Sequence, residues 1–233
     1  MDRCEQCIVR QFSALNALTK DELMQMTVCR TSESVKKGQV LFTEGEFLKG
    51  VYCIKNGICK LTKLSANGRE QIVKLITRGD LLGQRSIMSN EKVNLSAIAV
   101  TDMEICLLPR EEILRSMETN REFSSEMIRD VCHDLKNANN STVNMAQKTV
   151  KQRLADTLLY LYRTFGVDEH GFLRAQLTRE ELAGLVGTAT ESLIRMLSGF
   201  TRDGLIQTEG KKIKPATVPG LEKISNGQEG ITS

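Results

Sequence analysis

The chain has 233 residues, of which 40% are hydrophobic, and a formal net charge of +3 at pH 7. It is long enough for one large or two small domains with a real core, and no stretch approaches the roughly 20 apolar residues of a membrane span. The start "MDRCEQC" lacks the apolar segment of a signal peptide, so the sequence predicts a cytoplasmic protein with no membrane partner.

Seven cysteines lie at irregular spacing along the chain. An odd number without a regular pattern favours reduced thiols or metal ligands over a secreted disulfide framework. Two of them, Cys4 and Cys7, form the motif "CEQC" in an N-terminal segment that we place at residues 1–14.

Short strands separated by turns are predicted for the next part of the chain. Glycines recur from 35 to 109 between β-favouring runs such as "VKKGQVLFTEGE", "GVYCIKNGICKLTKL" and "NGREQIVKLITRGDLLG". The pairs Asn56-Gly57 and Asn67-Gly68 are typical of hairpin turns. Strands of this kind favour an antiparallel sandwich or barrel, which we place at residues 15–115.

A long helix is predicted for residues 116–146, with apolar positions spaced alternately by three and four. This spacing is that of a coiled-coil seam and favours dimerisation. A helix that packs on its own domain would explain the same pattern, and the spacing leaves both interpretations open. The seam consists of Ile128, Val131, Leu135, Ala138, Thr142 and Met145.

Residues 148–218 have the pattern of a winged helix-turn-helix. After "VKQRLADTLLYLY" and the strand signal "FLRAQL", helices are predicted from Arg179 to Val186 and from about Thr190 to Arg202, joined by a turn that contains glycine. Thr178 is placed to cap the first of them, with Glu181 completing a capping box. The segment "DGLIQTEGKKIKP" then predicts a two-stranded wing, and residues 219–233 are predicted to be a flexible tail.

Four segments carry a resemblance to a known family. "KKGQVLFTEGE", "YCIKNGICKL", "EQIVKLITRGDLLG" and "LTREELAGLVGTATESLIRMLSGFTRDGLI" resemble, in order and spacing, the CRP/FNR family of bacterial regulators. The likeness covers nearly the whole chain. It implies an α+β fold with an N-terminal antiparallel β-roll of the cyclic-nucleotide-binding jelly-roll type, a long dimerisation helix and a C-terminal winged helix-turn-helix.

The resemblance also implies a function and partners. We expect a homodimer that binds an inverted repeat in double-stranded promoter DNA, controlled by a small-molecule or redox effector sensed in the roll, with RNA polymerase as a further partner. The alternative is a ligand- or partner-binding regulatory module without sequence-specific DNA binding. An enzyme is not predicted, because no nucleophile motif surrounds the two histidines, His133 and His170.

The second predicted helix of the motif carries the candidate base-reading residues. Arg195 can donate two hydrogen bonds to guanine and Glu191 can accept one from cytosine in the major groove. In the family's pattern both fall on base-reading positions. The alternatives are a surface ion pair between them and a capping box of Glu191 with Thr188. Lysines of the wing are expected to contact phosphates or simply to be solvated. The full candidate set for DNA is Thr178, Arg179, Thr190, Glu191, Ser192, Arg195, Lys211 and Lys212.

The effector pocket implied by the resemblance departs from that of cyclic-nucleotide members. Leu95 stands where those members carry the phosphate-binding arginine, and Gln84 stands where they carry a glutamate. A buried phosphate without a cation is costly, so cyclic AMP is not expected to be the effector, unless Arg85 substitutes from another direction. The pocket residues are Gly83, Gln84, Arg85, Ser96 and Ala97.

No cofactor is predicted outright, and an iron–sulfur cluster is the alternative. In the oxygen-sensing branch of the family thiolates hold a four-iron cluster, and Cys4, Cys7 and Cys106 fall on ligand positions. The remaining ligand position falls on Ser13, which is a poor iron ligand; Cys29 could replace it only with a different fold of the segment. A zinc site using Cys4, Cys7 and Cys29 would need a fourth ligand that the sequence does not identify.

Overall fold

The computed structural model describes residues 7–65, 68 and 70–228, except for the side chain of Ile8. The chain forms two compact units, one made of Met1–Lys63 with Val73–Ala138 and the other of Leu64–Ile72 with Asn139–Ser233. The predicted α+β class is confirmed. Among the described residues, no helix has the length and apolar character needed to cross a bilayer.

Eight strands build two sheets in the N-terminal half of the chain. They are β1 (Thr31–Val35), β2 (Val40–Phe42), β3 (Gly50–Asn56), β4 (Cys59–Leu64), β5 (Glu70–Ile76), β6 (Leu81–Leu82), β7 (Ser96–Ala99) and β8 (Met103–Pro109). Each sheet has four strands, in the orders β1-β8-β3-β6 and β2-β7-β4-β5. Their described pairings are antiparallel, as predicted.

Strands β3 and β8 are buried on both faces. Ile54 and Ile105 are directly opposite each other on one face, and Cys53 and Cys106 are directly opposite each other on the other. All four side chains are at most 5% exposed. The face that carries the cysteines is covered by helix α1 (Lys20–Cys29), whose buried side chains include Leu23 and Met26.

The turn predicted at Asn56-Gly57 is present, but it joins β3 to β4, which belong to different sheets. Gly57 has φ +93°, and a Cβ there would lie 2.6 Å from the carbonyl oxygen of Asp102. A side chain is therefore excluded both by the backbone conformation and by space. The expected turn at Asn67-Gly68 includes Asn67, which lies outside the described residues.

The predicted helix over 116–146 is divided, which corrects its start. Helix α3 (Arg110–Thr119) ends before Asn120, and helix α4 runs from Arg121 to Gln147. Asn120 produces the break, because its Oδ1 accepts from the backbone N–H of Phe123 at 3.0 Å and its Nδ2 donates to the carbonyl oxygen of Ala17 at 3.0 Å. The first two turns of α4 are anchored by Phe123 and Met127, both fully buried.

The second unit contains further helices and a strand pair. They are α5 (Val150–Phe165), α6 (Arg179–Val186), α7 (Thr190–Arg202), β9 (Ile206–Glu209), β10 (Lys212–Pro215) and α8 (Val218–Ser225). The predicted limits of the two helix-turn-helix segments and the two strands of the wing are confirmed. The strand predicted at "FLRAQL" is wrong, because its backbone forms only one isolated bridge, from Leu173 to Val167. Alternate burial of Leu173, Ala175 and Leu177 produced the strand-like pattern.

The prediction of a flexible tail from residue 219 is wrong for its first part, which forms α8. Thr217 caps this helix by accepting from the backbone N–H of Gly220 at 3.2 Å. Leu221 is fully buried and Ile224 is 9% exposed, and α8 packs along α5. The sequence signal was this apolar pair three residues apart, which a helix places on one face.

We predict that Leu221→Ala destabilises the protein by about 2–5 kcal/mol, because it empties a fully buried site between α8 and α5. Chemical denaturation followed by circular dichroism would measure the change. Lys223→Ala is the matched control, since Lys223 is exposed on the same helix and its removal should change stability by less than about 0.5 kcal/mol. Equal effects of the two substitutions would show that α8 does not pack as described.

Candidate nucleic-acid interface

Helix α6 begins and ends with the local signals that the sequence predicted. Thr178 Oγ1 accepts from the backbone N–H of Glu181 at 3.1 Å, and the carboxylate of Glu181 accepts from the backbone N–H of Thr178 at 2.9 Å. Gly187 follows the helix with φ +73°, a left-handed conformation that favours glycine. A Cβ on Gly187 would also lie 2.7 Å from Cε of Met145. The turn into α7 therefore requires this glycine.

Helix α7 has one buried face and one exposed face. Leu193, Leu197 and Phe200 are buried, at most 4% exposed. Glu191 and Arg195 lie on the opposite, exposed face together with Ile194. The spacing of the three buried residues determines which side chains point outward.

Within the described chain, Glu191 forms neither of the two local interactions that the sequence suggested for it. The residue that caps α7 is Ala189, which has no side-chain acceptor, so the capping box with Thr188 does not form. Arg195 donates through Nη2 to Oγ of Ser192 at 3.2 Å, and no ion pair joins it to Glu191. An acceptor and a fork of donors, one helical turn apart, are therefore both presented to solvent.

The wing is tied to α6 by Arg179. Its Nη2 donates to the carbonyl oxygen of Gly210 at 2.7 Å and its Nη1 to that of Lys211 at 3.5 Å. Burial lowers the pKa of the Arg179 guanidinium from its ordinary value, and the group stays charged because an arginine titrates far above neutrality. The role of Arg179 as a DNA contact stays a prediction; in the structure its guanidinium joins α6 to the wing.

The wing lysines differ in their surroundings. Lys211 is exposed at the turn between β9 and β10. Lys212 is half-buried, with Nζ 5.5 Å from the ring centroid of Phe172, a cation–π contact that holds its stem near the domain surface. Of the other candidates, Thr190 and Ser192 are half-buried in the first turn of α7.

The predicted effector residues lie near the start of a short helix, which is preceded by a glycine in the left-handed conformation. Gly83 has φ +95° and precedes helix α2 (Gln84–Ser89). Gln84 and Ala97 are buried, whereas Arg85 is exposed. A Cβ on Gly83 would lie 2.5 Å from Cδ1 of Leu48, a side-chain atom that can move, so it is the positive φ that favours glycine here.

The polar groups beside this helix are satisfied within the protein. Arg85 donates to the carboxylate of Glu91 at 2.9 Å and to Oδ1 of Asn94 at 3.1 Å. Ser96 Oγ accepts from the backbone N–H of Glu44 at 3.0 Å, and the carboxylate of Glu44 is ion-paired with Lys63. A phosphate bound here would compete with Glu91 for the only cation among the predicted pocket residues.

The predicted seam of α4 is largely open to solvent in the single chain. Ile128 is 51% exposed and Leu135 is 61% exposed, Ala138 is exposed, and Val131 is half-buried. Met145 departs from the seam in part, because its side chain lies against Gly187 of the same chain. Val143, 49% exposed, extends the apolar surface and falls outside the spacing that the sequence suggested.

The candidate cluster ligands are only partly described, since Cys4 lies outside the described residues. Cys7 and Cys106 line one cavity of the first unit. Ser13 Oγ donates to the carbonyl oxygen of Arg10 at 3.2 Å. Cys29 is exposed, and no three His, Cys, Asp or Glu side chains among the described residues are grouped to hold a metal ion.

Comparison with known proteins identifies both halves of the chain. The family model of the cyclic nucleotide-binding domain matches residues 32–120, and that of the Crp-like helix-turn-helix domain matches residues 152–224. The chain is 30% identical over 203 residues to a CRP-like cAMP-activated global transcriptional regulator of Mycobacterium tuberculosis, covering 86% of this chain and 87% of that protein. The chain belongs to the CRP/FNR family. It is a sequence-specific DNA-binding transcription regulator.

This CRP/FNR regulator is also similar to proteins whose names do not mention cAMP. It is 27% identical over 215 residues to the fumarate and nitrate reduction regulatory protein of Escherichia coli, covering 90% of this chain and 85% of that protein. The fold is shared with a CRP/FNR-family regulator of Eubacterium rectale, with a TM-score of 0.76, 20% identity, and coverage of 91% of this chain and 97% of that one. FixK2 of Bradyrhizobium japonicum also has a TM-score of 0.76, with 22% identity and coverage of 84% and 96%.

At this interface, sequence reasoning missed two hydrogen bonds. The hydrogen bond from Arg179 to the wing joins positions 31 residues apart, and no local sequence pattern predicts it. The bond from Arg195 to Ser192, three residues apart on one helix, could have been anticipated from the i, i+3 spacing.

Proposed function

We propose that this regulator binds an inverted-repeat promoter site as a homodimer, with α7 in the major groove and Glu191 and Arg195 reading neighbouring base pairs. The proposal rests on the exposure of both side chains, Glu191 and Arg195, which do not form an ion pair with each other. A guanidinium can donate to O6 and N7 of guanine, and a carboxylate can accept from N4 of cytosine. Ser192 and Thr190 lie beside them, where hydroxyls can reach a base or a phosphate.

Phosphate contacts are assigned to groups around this helix. At the start of α6 the Thr178 hydroxyl is the group proposed to contact a phosphate, since the backbone N–H groups of Thr178 and Glu181 are bonded within the capping box. Lys211 and Lys212 on the wing would add positive charge, which contributes affinity without sequence preference.

The second half of the proposal is the homodimer formed by α4. Exposed Ile128 and Leu135 with half-buried Val131 form an apolar stripe over two turns of helix, and a second copy of α4 would remove it from water. A dimer also presents two copies of α7, which matches two half-sites about one turn of DNA apart. RNA polymerase is the further partner that the family relationship suggests.

The effector is proposed not to be cyclic AMP. One relative is named for activation by cAMP, but here Leu95 holds the position of the phosphate-binding arginine. Arg85, the nearest cation of the predicted pocket, is already bonded to Glu91 and Asn94. Bringing it to a phosphate would break those bonds, so binding would be weak.

An iron–sulfur cluster does not fit the donor set either. A cluster of this kind takes four thiolates, and the third N-terminal position is Ser13, whose hydroxyl donates within its own turn. The sulfur of Cys106 already accepts a hydrogen bond from Arg30 at 2.8 Å. We therefore propose that this donor set holds no iron–sulfur cluster.

We predict that Arg195→Ala weakens binding by about 1–3 kcal/mol per half-site and removes the preference for one guanine in each half-site, because a two-bond base contact is lost there. Titrations against the selected site and each single-base change of it would measure both effects. Lys211→Ala is the control, since loss of one phosphate contact per subunit should weaken all sequences alike and reduce the salt slope by about 0.9 per subunit, or about 1.8 for the dimer. An unchanged preference at every position in the Arg195 variant would contradict base reading.

We predict that the double substitution of Val131 and Leu135 by Asp yields monomers, because four carboxylates would face each other across the seam. Sedimentation at micromolar concentration would measure the mass, and circular dichroism would confirm that α4 remains helical. Lys136→Asp is the control, because this exposed residue lies off the seam. A native protein that sediments as a monomer with and without DNA would refute the dimer.

We predict that cyclic AMP binds more weakly than a Kd of about 10 μM, which corresponds to about −7 kcal/mol. Isothermal calorimetry on the full chain is the measurement. If binding is tighter than this value, Arg85→Ala would show whether Arg85 has replaced the missing arginine of position 95, and the proposal about the effector would be wrong.

A further inference from the structure

A small cavity lies in the first unit, lined by the stretch that carries Cys7 and Arg10, by helix α1 and by strands β3 and β8. Its lining includes three thiols and three cationic side chains: Cys7, Cys53, Cys106, Arg10, Arg30 and Lys55. Its volume is about 20 Å³, room for about one molecule of the size of water or hydrogen peroxide. The predicted effector residues, including Gly83 and Gln84, are not part of its lining.

Two of these thiols are directly opposite each other on neighbouring strands. Cys53 and Cys106 are register partners in the antiparallel pair of β3 and β8, and both side chains face the cavity. Opposite residues in such a pair have Cα atoms about 4.5 or 5.5 Å apart. Disulfides join Cα atoms roughly 4.4–6.8 Å apart, so the strands already hold these residues at bridging distance.

The sulfur of Cys106 has a cation against it. Arg30 Nη1 donates to Sγ of Cys106 at 2.8 Å, and the same nitrogen donates to Oγ of Ser32 at 2.6 Å. Ser32 Oγ also lies 3.4 Å from this sulfur. Arginine beside a cysteine is the environment in which cysteines react as nucleophiles.

The remaining described cysteines have different surroundings. Cys59 is fully buried and does not line the cavity, and burial raises its pKa to about 12, so it stays a neutral thiol. Cys29 and Cys132 are exposed and do not line the cavity. Among the described residues, neither Cys53 nor Cys106 is part of a disulfide.

We propose that this cavity is a thiol-oxidation site for a small hydroperoxide, with Cys106 as the reacting thiol and Cys53 as the resolving thiol. The deprotonated sulfur of Cys106 attacks one peroxide oxygen and the O–O bond breaks. The sulfur becomes a sulfenic acid, oxidised by two electrons, and the leaving alkoxide or hydroxide takes a proton from solvent. The sulfur of Cys53 then attacks the sulfenic sulfur; the S–O bond breaks, the S–S bond forms, and hydroxide leaves as water with the proton of Cys53.

The cross-strand position also favours reduction of the disulfide back to two thiols. Opposite residues have Cβ atoms about 4.5–5.5 Å apart, slightly more than the roughly 3.5–4.5 Å of a relaxed disulfide. The bond would therefore form under some strain, and strained disulfides are the easily reduced ones. This chemistry does not depend on DNA recognition, so either proposal can fail without the other.

The test uses the full-length protein, reduced, desalted and exposed to hydrogen peroxide at about equal concentration. Remaining thiols are alkylated and the protein is digested without reductant for mass spectrometry. We expect a peptide pair joining Cys53 to Cys106, lost on treatment with dithiothreitol. In Cys53→Ala the reaction should stop at Cys106 sulfenic acid, which dimedone labels, and Arg30→Ala should react several-fold more slowly.

Cys59→Ala is the matched control and should form the same linked pair as the native chain. The proposal is overturned if Cys53 and Cys106 both remain open to alkylation after peroxide while the exposed Cys29 or Cys132 is oxidised. It is also overturned if Cys106 is linked to Cys7 in the native chain, since the resolving thiol would then be a different one. Both outcomes are read on native protein, so folding of the variants does not decide the result.

Discussion

The rotation of α7 about its own axis is set by three buried side chains, those of Leu193, Leu197 and Phe200. All three can be buried together in only one orientation of the helix. The outward position of Glu191 and Arg195 follows from that orientation, as does the contact of Arg195 with Ser192. The turn that precedes the helix has to deliver it in this rotation, which is why a left-handed glycine stands at 187. The exposure of the proposed base-reading pair, the turn and the core of this unit thus share one packing constraint.

Local signals made the second unit largely predictable from sequence. The capping box of Thr178 and Glu181 marks the start of α6, and Gly187 marks its end, so both limits follow from neighbouring residues. Where burial arises from distant parts of the chain, prediction failed. Alternate burial of Leu173 and Leu177 imitated a strand, and α8 was missed because the partner of Leu221 lies on α5.

The candidate sites divide in the same way. The sequence placed Glu191 and Arg195 correctly on one face, since their spacing is a property of the helix itself. It could not show that Arg85 is held by Glu91 and Asn94, nor that Cys53 is opposite Cys106. The register of two strands 53 residues apart depends on the whole roll, and no local spacing records it.

The bond from Arg179 to the carbonyl oxygen of Gly210 has a consequence for how this protein can change. The acceptor is main chain, so it is the same for any residue that tolerates the φ of +55° found there. Side chains of the wing can therefore be exchanged, and their charge altered, while the loop keeps its anchor. The charge that the wing presents could therefore drift or be engineered while α6 and α7 keep their own sequence.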